Sequence, residues 1–464
     1  MLHPRLPGIA KADLRIDVGV PGKQRALGDC MRLAGLTVVL WSLAAAPAPA
    51  RAHPPTRYAY TLVDVGTFGG PQAGQGNSAS LNESGAVVGT ADTSVPDPFG
   101  ANESGAFNGD PFVQHAYSWQ RGTLTDLGAL GSQPANNSSY TNAINERGHA
   151  AGLSDNGSID PLLGTAETDA VLWRNGTIND LGTLGGHESQ AFALNDRDQV
   201  VGVAANAVPD AVSMLGWGAQ ARAFLWQRGR MRDLGTLGGP DSFGWAVNDR
   251  GQVAGVSYTS AVPNPATGQP PIHAFLWEHG RMRDLGSLGG SLPVFGGIAG
   301  MNERGEIAGQ SNLAGDQTAH PYFWDGRGMI DLGTLGGDNG SASAINERGV
   351  VAGTSDLADG THFGFLWANG RLHALPPVGG APCSFASDVN ARGQAVGSAT
   401  TCSEVLAAVL WTHGVGVDLN TLVAPSTLHM TAASSINDAG DIIGEGVLPN
   451  GDQHNFVLIP NTRS

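Results

Sequence analysis

The feature that most constrains this chain is a unit that returns eight times along it. An Asn recurs at Asn82, Asn145, Asn195, Asn248, Asn302, Asn346, Asn390 and Asn437, at spacings of 63, 50, 53, 54, 44, 44 and 47 residues. It opens an Asn-x-x-Gly tetrad in every unit but the third, where Asp198 replaces the Gly. A second signature, His273-Ala-Phe-Leu-Trp277, brings its tryptophan back at Trp119, Trp173, Trp226, Trp324, Trp367 and Trp411; the eighth copy ends in Leu458. A third, Asp233-Leu-Gly-Thr-Leu-Gly-Gly239, places an Asp at Asp64, Asp126, Asp180, Asp233, Asp284, Asp331 and Asp418, with Ala374 in the remaining copy. Self-similarity at such a period is the mark of a repeat architecture, and it is read before any local structure.

Each unit reads as four short strands. An alternating run enters the Asn, and Asn-x-x-Gly is a turn, because Asn suits its first position and Gly its last. A Val-Ala-Gly or Val-Val-Gly run makes the second strand. In the third, His273, Phe275 and Trp277 share one face and Ala274 and Leu276 the other, so both faces are apolar and the strand is expected to be buried on both sides. The Met-Arg-Asp-Leu-Gly run makes the fourth. Four antiparallel strands per unit with Gly-rich turns predict an all-β protein, an eight-bladed β-propeller. The ends agree. Tyr60–Gly66 is a fourth-strand copy with nothing of its own unit before it, and the last unit stops after its third strand at His454–Leu458. The surplus strand is therefore expected to complete the last blade and seal the ring. A seven-bladed ring and a β-solenoid are the alternatives; tight antiparallel turns in every unit disfavour the solenoid.

The motifs Ile345-Asn-Glu-Arg-Gly349, His273-Ala-Phe-Leu-Trp277 and Asp233–Gly239 resemble the bacterial extracellular repeat named HAF after its His-Ala-Phe core. The resemblance spans residues 60–458, nearly all of the chain beyond its leader. It implies export and tandem repetition and carries no activity. Asp169 and Arg222 in place of the His, and Ala374 in place of the Asp, depart from the pattern.

Residues 1–52 read as a signal peptide cleaved after Ala52, with Met31 as the true start and the residues before it an upstream extension. Met31-Arg32, the apolar Leu33–Ala46 and Ala50-Arg51-Ala52 supply the positive end, the apolar run and the small residues of the cleavage site. Residues 53–464 form one domain of eight repeats, expected to be monomeric and secreted or periplasmic, with no further stretch of membrane-spanning length. They keep 18 of the 25 basic and 38 of the 41 acidic residues, a net charge of −20, and no lysine. Such a surface repels phosphate backbones, which argues against nucleic acid as a partner. It also excludes a lysine Schiff base and a Walker-type phosphate loop. No H-E-x-x-H, G-x-S-x-G or D-x-D-x-D-G run is present.

The repeated Asp is expected to accept backbone N–H bonds at a turn rather than to ligate metal, and the repeated His to pack with its Phe and Trp. The Gly-Thr-Leu-Gly-Gly runs lack nucleotide-loop spacing and suit close approach of backbones. No cofactor is expected; Ca²⁺ on turn carboxylates is the alternative. Cys383 and Cys402 flank the Asn390–Gly393 turn. In an exported protein they are expected to form a disulfide across that hairpin, with Asn390 set opposite Ala395 and Cys383 opposite Cys402 to within a one-residue bulge.

Function is less legible than fold. The leading expectation is a binding module that presents a propeller face to a glycan or an extracytoplasmic protein. The alternatives are a propeller-based enzyme (a lyase, hydrolase or cofactor-dependent dehydrogenase) and a structural surface protein. The candidate surface is one rim over units one to four. There the connection from second to third strand spans 25, 16, 19 and 17 residues, against 10, 9, 9 and 9 in the last four units. Insertions on one face of a repeat array commonly form its binding side. Phe99, Phe112, Met214, Trp217 and Tyr258 are the candidate contact residues. Trp245 lies on a first strand, where packing is its simplest role.

Overall fold

A computed structural model describes residues 58–74, 80–98, 110–265, 268–291 and 297–461. The leader and Phe99 lie outside them. The described residues form eight four-stranded antiparallel sheets in the sequential order of a β-propeller. Blade four shows the pattern: Ser242–Val247, Val253–Tyr258, Ile272–Glu278 and Arg281–Gly286, each paired with the next. Blades one to seven occupy 69–126, 139–180, 185–233, 242–286, 298–331, 340–375 and 383–418. The eighth is made of His429–Ile436, Ile442–Val447 and Gln453–Pro460, and Tyr60–Asp64 from the other end of the chain is its outer strand. Leu62 pairs with Leu458 and Asp64 with Phe456. Seven blades and a solenoid are both set aside by this count and this closure. A single parallel bridge, Gln72 to Gln453, also joins the first strand of blade one to the third strand of blade eight.

The sequence explains the blade. Phe275 and Trp277 on the third strand of blade four are buried, as are Ala274 and Leu276 on its other face. The second-strand glycine is required by close approach. The first strand bulges between Gly244 and Ala246, which brings its chain onto Gly255, and a Cβ there would lie 2.0 Å from the Phe243 carbonyl oxygen. The same clash recurs at Gly152, Gly353 and Gly444, at 1.9, 2.1 and 2.1 Å.

The repeated Asn does more than turn the chain. At Asn302 the side-chain Oδ1 accepts the N–H groups of Arg304 and Glu306 at 3.1 and 3.0 Å, which fixes the turn. Its Nδ2 donates to the main-chain carbonyl of Asn346, the equivalent residue of the next blade, at 3.2 Å. All eight do this in succession: Asn82 to Asn145, Asn145 to Asn195, Asn195 to Asn248, Asn248 to Asn302, then onward to Asn346, Asn390 and Asn437. Asn437 closes the circle on the Asn82 carbonyl at 3.1 Å. In every unit but the seventh, where Ala391 stands, an acidic residue follows the Asn, and such carboxylates reach the opposite way. The Glu146 carboxylate accepts the Glu83 N–H, and the Glu83 carboxylate accepts the Asp438 N–H. In the third blade Asp198 adopts φ 56°, so the tetrad turns without its glycine. Its carboxylate accepts from Asn145 Nδ2 at 3.2 Å and contacts His149 Nδ1 at 2.8 Å.

Candidate functional site

The Asn turns and the turns between third and fourth strands share one face of the propeller, the turn face. The second-to-third-strand loops and the Asp-Leu-Gly segments share the other, the loop face. Charge is divided between them. Of the described arginines, Arg222 alone stands on the loop face; the others lie in the turns or on the outer strands of the turn face. Three of those, Arg174, Arg232 and Arg283, sit over the Trp226, Trp277 and Trp324 rings of the following blade at 5.8, 5.1 and 5.2 Å. Most of the carboxylates are on the loop face, so the net negative charge of the chain is concentrated there.

On that face the repeated Asp residues cap turns, as expected. Asp64, Asp126, Asp180, Asp233, Asp284 and Asp331 each accept the N–H of the Gly two residues on, at 2.7 to 2.9 Å, and Asp418 accepts that of Asn420. The repeated His differs from its expected packing role, because its ring meets this same Asp. Nδ1 of His115, His273 and His320 lies 2.9 Å from Asp126, Asp284 and Asp331, and His454 Nδ1 lies 2.8 Å from Asp64 across the chain ends. The two signatures are one pair, eleven residues apart in sequence. In blade three Arg222 supplies the cation, 3.2 Å from Asp233. In blade six both partners are gone together, as Phe363 and Ala374. Blade two sets Asp169 against Asp180. Burial, and then the charges of Asp180 and Glu167, push Asp169 up to about 6 despite the hydrogen bond from Asn156. Burial acts upward on Asp126 too, yet the His115 and Gly128 donors leave it below its ordinary value.

The candidate contact residues divide between surface and interior. Phe112 opens the third strand of blade one, half-buried and opposite Pro96. Trp217 is 5% exposed and Tyr258 1%, both within the core that joins blades three to five, and Met214 packs against that core. Tyr258 donates its hydroxyl to Gln269 at 2.8 Å, and burial, with Asp241 and Asp210 adding to it, pushes it up to about 12. What the long loops of blades two to four turn outward is aliphatic: Ile159, Leu162, Val208 and Val262, at 49, 62, 49 and 72% exposure. The sequence search favoured aromatics and passed over these.

The first strands line a central cavity of about 670 Å³. Its wall includes Phe192, Trp245, Met301 and Asp388. The rings of Phe192, Phe243 and Trp245 pack together with centroids 4.7 to 5.1 Å apart. Asp388 accepts from Ser435 Oγ and the Ile436 N–H at 2.8 and 2.9 Å, and burial raises its carboxyl above the ordinary range.

Cys383 and Cys402 form the expected disulfide, with Cα atoms 5.1 Å apart. The register beneath it differs from the one expected. Val389 pairs with Ala395 and Cys383 with Thr400, so Cys402 reaches its partner from the loop beyond, at φ 76°. A bulge between Ala386 and Asp388 accounts for part of the displacement. His362 sits beside this bridge, but the sulfur atoms are bonded to each other and offer no ligands to a metal. No described helix is long and apolar enough to cross a membrane.

No protein-family model matches the chain, and no curated protein sequence matches it. Among solved structures it is similar to a puromycin-hydrolyzing peptidase of Mycobacterium tuberculosis, with 14% identity and a TM-score of 0.41 over 68% of this chain and 50% of that one. The β-propeller domain of the Trilobed protease from Pyrococcus furiosus matches at 10% identity and TM-score 0.32, over 66% and 99%. A polysaccharide lyase, PL25 ulvan lyase, matches at 10% and 0.37, over 86% and 94%. The chain thus spans half the length of the peptidase. At these identities the likeness concerns the propeller fold alone.

Proposed function

We propose that this chain is an exported interaction module of HAF-type repeats that binds a protein partner on the loop face of blades two to four. One observation carries the reading. The inserted loops present Ile159, Leu162, Val208 and Val262 to solvent on the face where carboxylates are concentrated and Arg222 is the sole described arginine. Apolar groups rimmed by charge mark interaction sites. An acidic, aliphatic rim suits a partner segment with basic and apolar side chains. It is a poor match for an acidic glycan, and the aromatic rings that would stack on a sugar, Trp217 and Tyr258, are inside. The Cys383–Cys402 bridge supports export, since disulfides persist in oxidising compartments.

The second reading is a propeller-based enzyme, a hydrolase or lyase. The activities named among the structural neighbours, peptidase and polysaccharide lyase, are catalytic and stand on this side. The central cavity is where such chemistry would be sought, and Asp388 is the ionisable group on its wall.

Residues 53–464, immobilised and presented with a panel of exported proteins and glycans, test both. The expected result is salt-dependent capture of a basic protein, lost in Leu162→Glu and in a variant with the four long loops cut to nine residues. Binding unchanged in both variants places the site elsewhere. Turnover of a polysaccharide or peptide that Asp388→Asn abolishes favours the enzyme.

A further inference from the structure

Four consecutive blades repeat one contact where a long loop meets the next blade. The loop residue is Asp97, Asp160, Asp210 or Asn264, and its N–H bonds the carbonyl of Pro111, Thr165, Gly218 or Gln269 at 2.9 to 3.0 Å. Its side chain meets Ser138, Glu188 or Ser291 at the start of the following blade, and in the third case acts on Asp241 through its charge. In the first and last of these contacts a donor is present. Ser138 Oγ donates to Asp97 Oδ2 at 3.5 Å, and Asn264 Nδ2 donates to Ser291 Oγ at 2.9 Å. In the middle two, both partners are carboxylates.

Asp160 and Glu188 are each 1% exposed. One oxygen of each is fully engaged. Glu188 Oε2 accepts the N–H and the hydroxyl of Thr168, and Asp160 Oδ1 accepts the N–H groups of Leu162 and Leu163 at 2.6 and 3.1 Å. Glu188 Oε1 is buried with no hydrogen-bond partner. Burial pushes Glu188 up to about 8; the nearby Asp160 adds to this and the Thr168 donors oppose it. One blade on the pair differs: Asp241 is fully buried with both oxygens engaged, by the N–H groups of Met214 and Ala221 at 2.5 and 2.9 Å, and Asp210 is only half-buried.

Two carboxylates buried against each other need positive charge between them, either a proton or a metal ion. The N–H donors on the outer oxygens favour the ionised form. The donors are all hard oxygens, with no thiolate or imidazole, which selects for the alkaline-earth class. Burial pushes Asp241 up to about 6, opposed by the Met214 and Ala221 donors; Arg222 opposes it only weakly, its guanidinium being held by Asp233 and the Pro240 carbonyl.

We propose that Asp160 and Glu188 hold a divalent cation of the calcium class that fastens the long loop of blade two to the following blade. Carboxylate oxygens of both residues would be its ligands. The proposal is independent of whether the loop face binds a partner.

Residues 53–464, stripped with a chelator, would be titrated with Ca²⁺ by calorimetry and melted at pH 5 and pH 8 with and without it. The expected result is one bound ion and a melting temperature at pH 8 that rises with Ca²⁺. Glu188→Gln should fold, since its amide can donate to Asp160, and should bind none. Failure of Ca²⁺ to bind, with a chelated protein that is less stable at pH 8 than at pH 5, would overturn the proposal in favour of shared protons. Equal binding by Glu188→Gln would place the ion elsewhere and overturn it as well.

Discussion

The ring of Asn side chains makes a quantitative claim about closure. Asn437→Ala tests it against Asn302→Ala, its counterpart inside the ring. Asn437 is buried; its Oδ1 accepts the Asp441 N–H at 2.8 Å, and its Nδ2 donates to the Asn82 carbonyl at 3.1 Å, 355 residues away. Truncation leaves the Asp441 N–H without its acceptor in a buried turn and removes the interblade bond. An orphaned buried donor costs about 1–3 kcal/mol and a lost hydrogen bond about 1, so the expected loss is about 2–4 kcal/mol. Asn302→Ala orphans the N–H groups of Arg304 and Glu306 and cuts the bond to Asn346, so its loss should be similar. Urea midpoints for both variants of residues 53–464, at unchanged m-value, give the comparison. Near-equal losses are expected, because in a closed ring no blade is terminal. If Asn437→Ala falls short of the Asn302→Ala loss by about 1 kcal/mol or more, the worth of the one interblade bond, the link between the last and first blades does not form in solution and the closure argument fails.

Three further outcomes follow from other parts of the molecule. A chain starting at Gly70 loses the strand that pairs with Gln453–Pro460, and should melt lower or aggregate; melting identical to that of residues 53–464 would rule out a stabilising role for that strand. Thiol labelling of the unreduced, denatured protein should find no reactive cysteine, and Cys383→Ser with Cys402→Ser should cost about 3 kcal/mol or less, the scale for a loop of this length; two labelled thiols would refute the bridge. Asp169 is held up to about 6 in the folded chain, above its unfolded value, so the folded state keeps a proton that the unfolded state releases, and stability falls as pH rises from about 4 to about 6. Asp169→Asn should remove that slope, gaining at most about 3 kcal/mol at pH 8 and little at pH 4; an equal gain at both would show that the charge is not the cause.

Much of the fold was legible because a repeat reports its own boundaries. The Asn and Trp signatures counted the blades, and the unpaired Tyr60–Gly66 strand announced the closure. Local rules also placed the Asp at its turn. What escaped lies between elements. The His–Asp pair joins a third strand to a fourth, and its signal was present as two substitutions at matched positions, Phe363 with Ala374, that were read separately. The Asn ring joins residues 44 to 63 apart, and 355 apart where it closes, which a strand period cannot reveal. The disulfide was reached through a register that the bulge at Ala386 and Asp388 displaces. Trp217 and Tyr258 were conspicuous in loops for their size, and size is also what makes an aromatic ring seek cover. The aliphatic residues that the loops expose carry no such mark in sequence.

The circle of carboxamides has a consequence for how such a chain can be assembled. Each Asn side chain binds a main-chain carbonyl of its neighbour, a group every residue possesses. A blade therefore asks almost nothing of the sequence beside it at this seam; it needs only a chain segment in the right place. The coupling is generic at the hub, and individuality is left to the loops, whose lengths differ from blade to blade. A gene encoding such a protein could lengthen or rewrite one loop, or exchange one unit for a copy of another, and the hub would accept the newcomer through the same carbonyl.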